Sequence, residues 1–226
     1  MSYLNTLLFS VYPYIALAVF LVGSLIRYDR DQYTWKTSSS QMLESEQLKK
    51  GSLYFHVGVI AILLGHFVGL LTPVEVWHVL GISAGFKQGV AMGVGGFFGL
   101  ICLYGMVILI KRRLTHVRVR ATSSHMDIAI LLLLFAQLSL GLLSIFVSAG
   151  HMDGAEMLKM MHWAQSVVTF NATDAAAAMV DVHWIYKLHI TLGMTLFVLF
   201  PFSRLVHIWS VPVGYFHRNY QIVRAK

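Results

Sequence analysis

The sequence predicts an all-α, polytopic membrane protein built as one bundle of five transmembrane helices. Apolar residues make up 57% of the 226 residues and charged residues only 12%, whereas a soluble domain carries about 25% charged residues. Five apolar stretches are also long enough to cross the hydrocarbon core, which takes about 20 helical residues. This composition excludes a large aqueous domain, and we predict a single membrane domain over residues 1–226.

The five predicted spans cover residues 3–26, 53–71, 90–110, 128–147 and 185–208. The first is too long for the apolar core of a signal peptide and lacks a cationic start, so we expect it to be retained. The fifth is bounded by Lys187 and Arg204, which can reach the headgroups from near the helix ends. Pro201 should kink this span and free the carbonyl of Phe197, so we expect neighbouring helices to cover it.

The placement of the cations predicts the orientation of the bundle. One side would carry Arg27, Arg30, Lys36, Lys49, Lys50, Lys111, Arg112, Arg113, Arg118, Arg120, Arg204, Arg218, Arg224 and Lys226, and the other only Lys87, Lys159 and Lys187. Because short loops rich in Lys and Arg stay cytoplasmic, we expect the N-terminus outside and the C-terminus inside. The net charge of +7 then reflects topology, and we expect the lipid bilayer and no nucleic acid as a partner.

The connection between the fourth and fifth spans is long enough to contain structure of its own. Asp153 and Glu156 have the spacing of a capping box, which predicts a short helix over about 153–166. Its loose alternation of apolar and polar residues favours a position in the membrane interface. Two roles stay open for this helix: a lid over the helix ends, or part of a ligand site.

A single cysteine, Cys102, limits the redox chemistry that the chain can hold. It excludes an internal disulfide, covalent haem attachment through a CxxCH motif, and an iron–sulfur cluster, which needs about four thiolates.

Four histidines at membrane depth carry the main functional signal. His56 and His66 lie on the second predicted span, and His189 and His207 lie on the fifth. Ionisable residues inside a membrane are costly and are usually functional. Because the two spans run in opposite directions, the histidines form two pairs, His56 with His207 and His66 with His189. Two facing histidines can ligate one haem iron, so we predict two b-type haems, one near each face.

Helix geometry fits this hypothesis imperfectly. The axial rise between the histidines is ~15 Å on the second span and ~27 Å on the fifth, and the ten-residue spacing rotates the second ligand by roughly 80°. Tilted helices and a kink at Pro201 would be needed to absorb the mismatch. The alternative for such histidines is an interhelical hydrogen bond.

Glycines and one lysine near these spans each allow two interpretations. Gly58, Gly65 and Gly69 lie in one stripe of the second span, which favours close helix packing, with room for a porphyrin edge as the second interpretation. Considered without relatives, Lys87 is an interface lysine whose ammonium reaches the headgroups.

Several stretches along nearly the whole chain resemble one family. They are RYDRDQYTW at Arg27–Trp35, SSSQML at Ser38–Leu43, FHVGVIAILLGHFVGLLTP at Phe55–Pro73, HMDGAEM at His151–Met157, WAQSVVTF at Trp163–Phe170 and LHITLGMTLFVLFPFSRLVHIWSVP at Leu188–Pro212. The sequence resembles the gamma subunit of membrane-bound respiratory nitrate reductase, a diheme cytochrome b. It departs from the family pattern between Val74 and Phe86, where it is one residue longer.

The resemblance implies a ligand set and a substrate site. It implies axial ligation of haem iron by His56 and His207 on the cytoplasmic side and by His66 and His189 on the outer side. It also implies a quinol site, for menaquinol or ubiquinol, beside the outer haem, with Lys87 in that site and Gly65 next to it.

The resemblance further implies the electron path and the partners. Quinol would be oxidised at the outer face of a bacterial cytoplasmic membrane, and electrons would pass through both haems to a cytoplasmic iron–sulfur beta subunit and a molybdenum alpha subunit. As a separate hypothesis, we expect the basic loops, including the polar stretch Tyr33–Ser52, to form the docking surface, so that alanine at Arg112 and Arg113 should release the soluble subunits. The same membrane plan would also suit a sulfite- or heterodisulfide-reductase-type complex. A haem-free channel or transporter that relays protons is the alternative from another class.

Overall fold

The computed structural model describes residues 3–35, 43, 45–210 and 217. Five helices in it are long and apolar enough to cross a membrane: Tyr3–Arg30, Ser45–Leu71, Ala84–Thr115, His125–Ala149 and Trp184–Phe202. They are called the first to fifth spans below. No strand occurs in these described ranges, and the all-α, polytopic class predicted from the sequence is confirmed. Lys36, Arg218, Arg224 and Lys226, used above for the orientation, lie outside the described residues.

Four of the five spans are longer than the apolar runs that predicted them. The second span begins at Ser45, ahead of the predicted residue 53, and the third runs Ala84–Thr115, where 90–110 was predicted. Hydropathy reports only the part of a helix that matches the hydrocarbon core, whereas backbone hydrogen bonding continues into the polar ends. Short helices, Val74–Val79 and Val117–Ala121, lie in the connections.

The second and third spans form the closest helix pair. A Cβ atom added at Gly58 would lie 2.5 Å from the Cβ and 2.6 Å from the backbone nitrogen of Cys102. One added at Gly105 would overlap the backbone nitrogen of Phe55. Small residues let membrane helices approach to backbone contact, so helix packing accounts for Gly58.

The first span contains a π-helical turn, Leu7–Val11, next to Pro13. Proline has no N–H, so the carbonyl of Phe9, four residues earlier, lacks its usual helical donor. The indole Nε1 of Trp163 donates to this carbonyl at 3.0 Å. A helix in the connection between the fourth and fifth spans therefore satisfies a carbonyl in the first.

That connection folds into two helices, Ala155–Val168 and Ala172–Ala178, which together are called the cap. The predicted capping box between Asp153 and Glu156 does not form. The residue before the first helix is Gly154 in the left-handed region at φ 78°, and Asp153 Oδ1 accepts from the N–H of Ala155 at 3.0 Å. A Cβ on Gly154 would also lie 2.6 Å from that of Ala84, so both the backbone conformation and the third span require glycine here.

The cap packs onto one end of the bundle. Its buried apolar side chains form one core with the first and fifth spans: Phe9, Trp163, Ala164, Val167, Ala175, Met179, Val182, Ile185 and Tyr186. The cap covers the helix ends, which is the first of the two roles left open above, and the second role, as part of a ligand site, stays a prediction.

The fifth span is broken ahead of residue 208, where the predicted span ends. Its α-helix runs Trp184–Leu199, a 3-10 turn follows over Phe200–Phe202, and a second 3-10 segment runs Arg204–Ser210. Ser203, between them, is extended at φ −122° and ψ 178°. The N–H of Phe200 donates to the carbonyl of Phe197, so the carbonyl freed by Pro201 is satisfied within its own turn.

Candidate haem-ligand pairs and quinol site

The four membrane histidines lie as two facing pairs. The ring centroids of His56 and His207 are 6.3 Å apart with an interplanar angle of 73°. Those of His66 and His189 are 6.2 Å apart with an angle of 35°. These are the two pairs predicted from the antiparallel direction of the spans. His207 lies beyond the break at Ser203, so the two histidines of the fifth span are not on one straight helix and the rise calculated for a straight helix does not apply to them.

The names His56 end and His66 end are used below for the two ends of the bundle. The His56 end holds His56, His207 and the end of the third span. The His66 end holds His66, His189 and the cap.

Three of the four imidazoles are oriented by a backbone carbonyl. Nδ1 of His56 lies 2.7 Å from the carbonyl of Ser52. Nδ1 of His66 lies 2.8 Å from that of Ile62, and Nδ1 of His207 lies 2.6 Å from that of Arg204. A carbonyl oxygen can accept a hydrogen bond but cannot donate one. Each Nδ1 therefore carries the hydrogen, and each Nε2 keeps its lone pair free to bind a metal. A histidine that ligates a metal commonly has this arrangement.

His189 differs from the other three. Its Nδ1 is buried without a hydrogen-bond partner, and its Nε2 lies 3.3 Å from Nε2 of Gln137 on the fourth span. A Cβ at Gly141, one turn from Gln137, would lie 3.2 Å from the imidazole. If Nε2 of His189 is to bind iron, its contact with the Gln137 amide must break. Nδ1 of His189 and Oε1 of Gln137 are both buried without a hydrogen-bond partner, so a rearrangement of these two side chains could give each a partner.

The two pairs fit a haem with two axial imidazoles. With an iron–nitrogen bond of about 2 Å, each ring centroid lies about 3 Å from the iron, so two opposite imidazoles have centroids about 6 Å apart. Both observed separations agree with this distance. A flat macrocycle also needs small residues beside it, and a Cβ at Gly65 or at Gly69 would meet no described atom within 4 Å. Unlike Gly58, these two glycines are not explained by helix packing within the chain.

Lys87 is buried at the His66 end, at 8% exposure. Its Nζ donates to the carbonyl of Gly69 at 2.7 Å, contacts Sδ of Met161 at 2.8 Å, and lies 4.5 Å from the ring centroid of Trp77. The expectation of a lysine that reaches the headgroups is wrong, because this ammonium points into the protein. Gly69 follows His66 by three residues, so Lys87 and the His66–His189 pair lie within one helical turn of each other along the second span.

A small cavity of about 10 Å³ lies beside Lys87, and its lining includes Trp77, His78, Ile82, Leu158 and Met161. Sequence reasoning did not select Trp77 or Met161, because one lies in the stretch that departs from the family pattern and the other lies in the cap. Gln137 was missed as well, although an amide inside an apolar span is a visible signal. Gln165 of the cap closes this end by donating to the carbonyls of Leu70 and Thr72 at 3.0 and 3.2 Å.

The two arginines expected to dock a partner are engaged within the chain. Arg112 is 1% exposed and donates to the carbonyl of Leu43. Arg113 donates to Ser123 Oγ at 2.9 Å and lies 3.7 Å from Asp127. Both guanidinium groups are therefore occupied by contacts within their own chain, which does not favour them as docking residues. The described exposed cations of the His56 end are Arg30, Lys49, Lys50, Lys111, Arg118 and Arg120.

Comparison with known proteins gives matches over the whole chain. The sequence model of the family described as nitrate reductase gamma subunit matches residues 5–226. The chain is 54% identical over 229 residues to the respiratory nitrate reductase 1 gamma chain of Escherichia coli strain K12, covering 100% of both chains. It is 36% identical to the nitrate reductase gamma chain of Bacillus subtilis strain 168, covering 97% of this chain and 98% of that one.

A more distant similarity extends beyond nitrate reductases. The chain is 26% identical over 258 residues to the Hdr-like menaquinol oxidoreductase cytochrome b-like subunit of Archaeoglobus fulgidus, covering 89% of this chain and 76% of that one.

Proposed function

The chain belongs to the nitrate reductase gamma subunit family, and we propose that it is the diheme cytochrome b subunit that oxidises quinol for a nitrate reductase complex. The observation that carries this proposal is the pair of facing histidines at each end of the bundle. Bound haem supplies reversible one-electron redox chemistry, and one at each end provides a path for electrons through the hydrocarbon core. His56 and His207 would hold one haem, and His66 and His189 the other.

Quinol binds at the His66 end in this proposal. Its oxidation releases two electrons and two protons and leaves a quinone. The buried ammonium of Lys87 can donate a hydrogen bond from Nζ to a quinol oxygen in exchange for its contact with Met161 or Gly69. Trp77 and Met161, which contact this ammonium, would shield the quinol ring from water, and the protons would exit at the same face.

The membrane orientation decides whether this reaction conserves energy. With the positive-inside orientation, the His66 end faces outward and the His56 end faces the cytoplasm. Protons are then released outside while electrons move inward, against about 2.3 kcal/mol per elementary charge per 100 mV. The name gamma chain of the relatives supports alpha and beta partners, and we place the iron–sulfur and molybdenum chemistry of nitrate reduction on them at the cytoplasmic face.

The 54% identity over the full length of a nitrate reductase gamma chain favours this complex over a heterodisulfide-reductase-type one, whose relative is 26% identical. Activity of the purified complex with nitrate separates these two. A haem-free proton channel predicts membranes without Soret absorption.

The ligand assignment is tested with four single variants, His56→Ala, His66→Ala, His189→Ala and His207→Ala. Reduced-minus-oxidised spectra of membranes with equal amounts of each chain should show two b haems in the unchanged protein. The His56 and His207 variants should lose one haem, and the His66 and His189 variants should lose the other. His162→Ala, an exposed histidine of the cap, is the control and should keep both. Four variants that all retain two haems would overturn the proposal.

A further inference from the structure

We propose that Arg27 and Asp127 are positioning residues for His207. They bind the broken end of the fifth span from two sides. The inference rests on the proposed function, in which His207 is an axial ligand. It concerns residues of the first and fourth spans, which contribute none of the four histidines.

The break at Ser203 leaves His207 without support from a continuous helix. In an unbroken α-helix the N–H of Leu205 would pair with the carbonyl of Pro201. Here it donates to Oγ of Ser203 at 3.2 Å. The segment that carries His207 is a 3-10 helix, Arg204–Ser210, whose hydrogen-bond geometry is poorer than that of an α-helix. The position of this segment, and with it the imidazole, therefore depends on contacts from elsewhere in the chain.

Arg27 supplies the first of these contacts. Its Nη1 donates to the carbonyl of Pro201 at 2.6 Å and to that of Ser203 at 2.8 Å, which are the carbonyls on either side of the break. Thr34 holds the other side of the guanidinium, accepting from Nη2 at 2.9 Å through its carbonyl and from Nε at 3.3 Å through Oγ1. Gly23, one turn before Arg27, permits this approach, since a Cβ there would lie 2.8 Å from Cγ of Pro201.

Asp127 supplies the second contact. Its carboxylate binds the guanidinium of Arg204 in a two-point arrangement, at 2.7 Å to Nε and 2.5 Å to Nη2. The side chains of Arg204 and Asp127 are 20% and 10% exposed. Asp127 is itself fixed by a capping box, in which its Oδ2 accepts from the N–H of Ser124 at 3.0 Å and Ser124 Oγ accepts from the N–H of Asp127 at 3.1 Å. A paired, two-point ion pair restricts orientation more than a single hydrogen bond does.

The two contacts converge on the imidazole through Arg204. Asp127 holds the side chain of Arg204, and the carbonyl of the same residue accepts from Nδ1 of His207 at 2.6 Å. Partners that orient the outer nitrogen of a ligating histidine set its ring direction and its strength as a ligand. Arg27 fixes the chain before Arg204, and Asp127 fixes Arg204 itself, so the ring plane of His207 depends on both.

A change in local charge is the competing explanation for any effect of these residues. Replacing Arg27 by Gln removes a positive charge, whereas replacing Asp127 by Asn removes a negative one. A through-space effect would therefore move the midpoint potential of the nearby haem in opposite directions and leave its ligand geometry unchanged. A positioning role predicts that both variants alter the low-spin EPR signal of that haem, because the signal depends on the relative orientation of the two imidazole planes, 73° apart at this pair.

The experiment uses the purified complex and the variants Arg27→Gln, Arg27→Lys, Asp127→Asn and Asp127→Glu. His207→Ala identifies which EPR signal belongs to this pair. Controls are Arg30→Gln and Asp29→Asn, exposed residues at the same end that make the same two changes of charge. EPR spectra and redox titrations are recorded for each protein.

We expect Arg27→Gln and Asp127→Asn to shift or broaden the signal of the His56–His207 pair, leave the signal of the His66–His189 pair in place, and give the smaller change with Lys and Glu. An unchanged signal, opposite shifts of potential alone, or loss of both haem signals would overturn the positioning role. If His207→Ala leaves both haem signals intact, the ligand assignment is wrong. That result is distinct from a failure of the positioning role of Arg27 and Asp127.

Discussion

Lys87 lies at the His66 end with its ammonium inside the protein. The ammonium is buried, receives no carboxylate contact in the described part of the chain, and is held by a carbonyl, a thioether and an aromatic face. These are weak partners for a buried cation, whose desolvation is costly unless it is fully paired. A ligand oxygen that replaces the thioether would improve its hydrogen bonding, so this site favours a ligand with an oxygen acceptor.

We therefore expect Lys87→Ala to lower the quinol-dependent rate of the complex. A hydrogen bond from a charged group contributes about 1.5–3 kcal/mol, which corresponds to a loss of roughly 10- to 100-fold. The measurement is nitrate reduction driven by a quinol analogue, compared with the rate driven by a small-molecule reductant that donates directly to the soluble subunits. Lys159→Ala is the matched control, because Lys159 is at the same end but binds Glu156 and the carbonyl of Asp181. Equal quinol-dependent rates for Lys87→Ala and the control would contradict this role.

Single residues also show what sequence could and could not predict about the site. The pairs His56 with His207 and His66 with His189 follow from the alternating direction of the spans, since antiparallel helices bring the start of one beside the end of the other. The orientation of each ring does not follow, because it depends on carbonyls such as that of Arg204. Arg112 was misjudged because a basic residue in a loop gives the same signal whether it faces a partner or, as here, its own chain.

Among the elements, the second and third spans differ from the others in how closely their backbones approach. A Cβ added at Gly58 would overlap the backbone of Cys102. A Cβ added at Gly96, which lies toward the His66 end of the third span, would meet only Cδ1 of Ile145, at 3.5 Å. Both glycines lie in spans of similar hydropathy, and sequence alone does not separate them. The two glycines differ because Gly58 lies on the helix face that packs against a neighbouring backbone and Gly96 does not.

We predict that Gly58→Ala destabilises the chain and that Gly96→Ala does not. The added methyl group at residue 58 must displace backbone, and overpacking costs about 1–3 kcal/mol. At residue 96 the contact is ordinary, and Ala is the better helix former by up to about 1 kcal/mol. Thermal unfolding of the detergent-solubilised protein should show a lower Tm for the first variant only. Equal Tm values for the two variants would show that the backbones of the second and third spans do not approach this closely at Gly58.

The fifth span shows the limit of prediction at the level of elements. Pro201 correctly signalled a departure from a straight helix, yet the position and form of the break are set by residues distant in sequence. Arg27 is 174 positions from Pro201 along the chain and donates to its carbonyl. A periodicity or propensity argument considers neighbours within about one turn, so it cannot detect such a contact.

At the scale of the whole molecule, the two ends of the bundle have different chemistry. The His66 end is closed by the cap, whose core packs against the first and fifth spans, and it carries a buried lysine beside a pocket. The His56 end carries the exposed cations of the described chain named above and the short connection 116–124. In the proposed function, the His66 end would receive quinol from the bilayer, and the His56 end would bind a large soluble partner with an acidic surface.

This asymmetry gives a prediction about assembly that replaces the one based on Arg112 and Arg113. Alanine at Arg112 would remove a buried contact with Leu43, so a loss of attachment there would not distinguish docking from misfolding. Arg118 and Arg120 are exposed on the short helix Val117–Ala121. We expect Arg118→Glu combined with Arg120→Glu to release the soluble subunits from membranes at physiological ionic strength, because like charges at a rim weaken association while the fold is unaffected.

The amount of soluble subunits that stays with washed membranes measures this, with the haem spectrum as a check that the chain is folded. Glu75→Lys is the control, since it reverses a charge on an exposed residue at the His66 end and should leave attachment unchanged. Release by the arginine pair alone places the partner on the His56 end and, with it, the electron exit beside His56 and His207. Full attachment of the doubly reversed chain, with both haems present, would show that the partner does not dock on the short helix, and release by Glu75→Lys would place it at the opposite end.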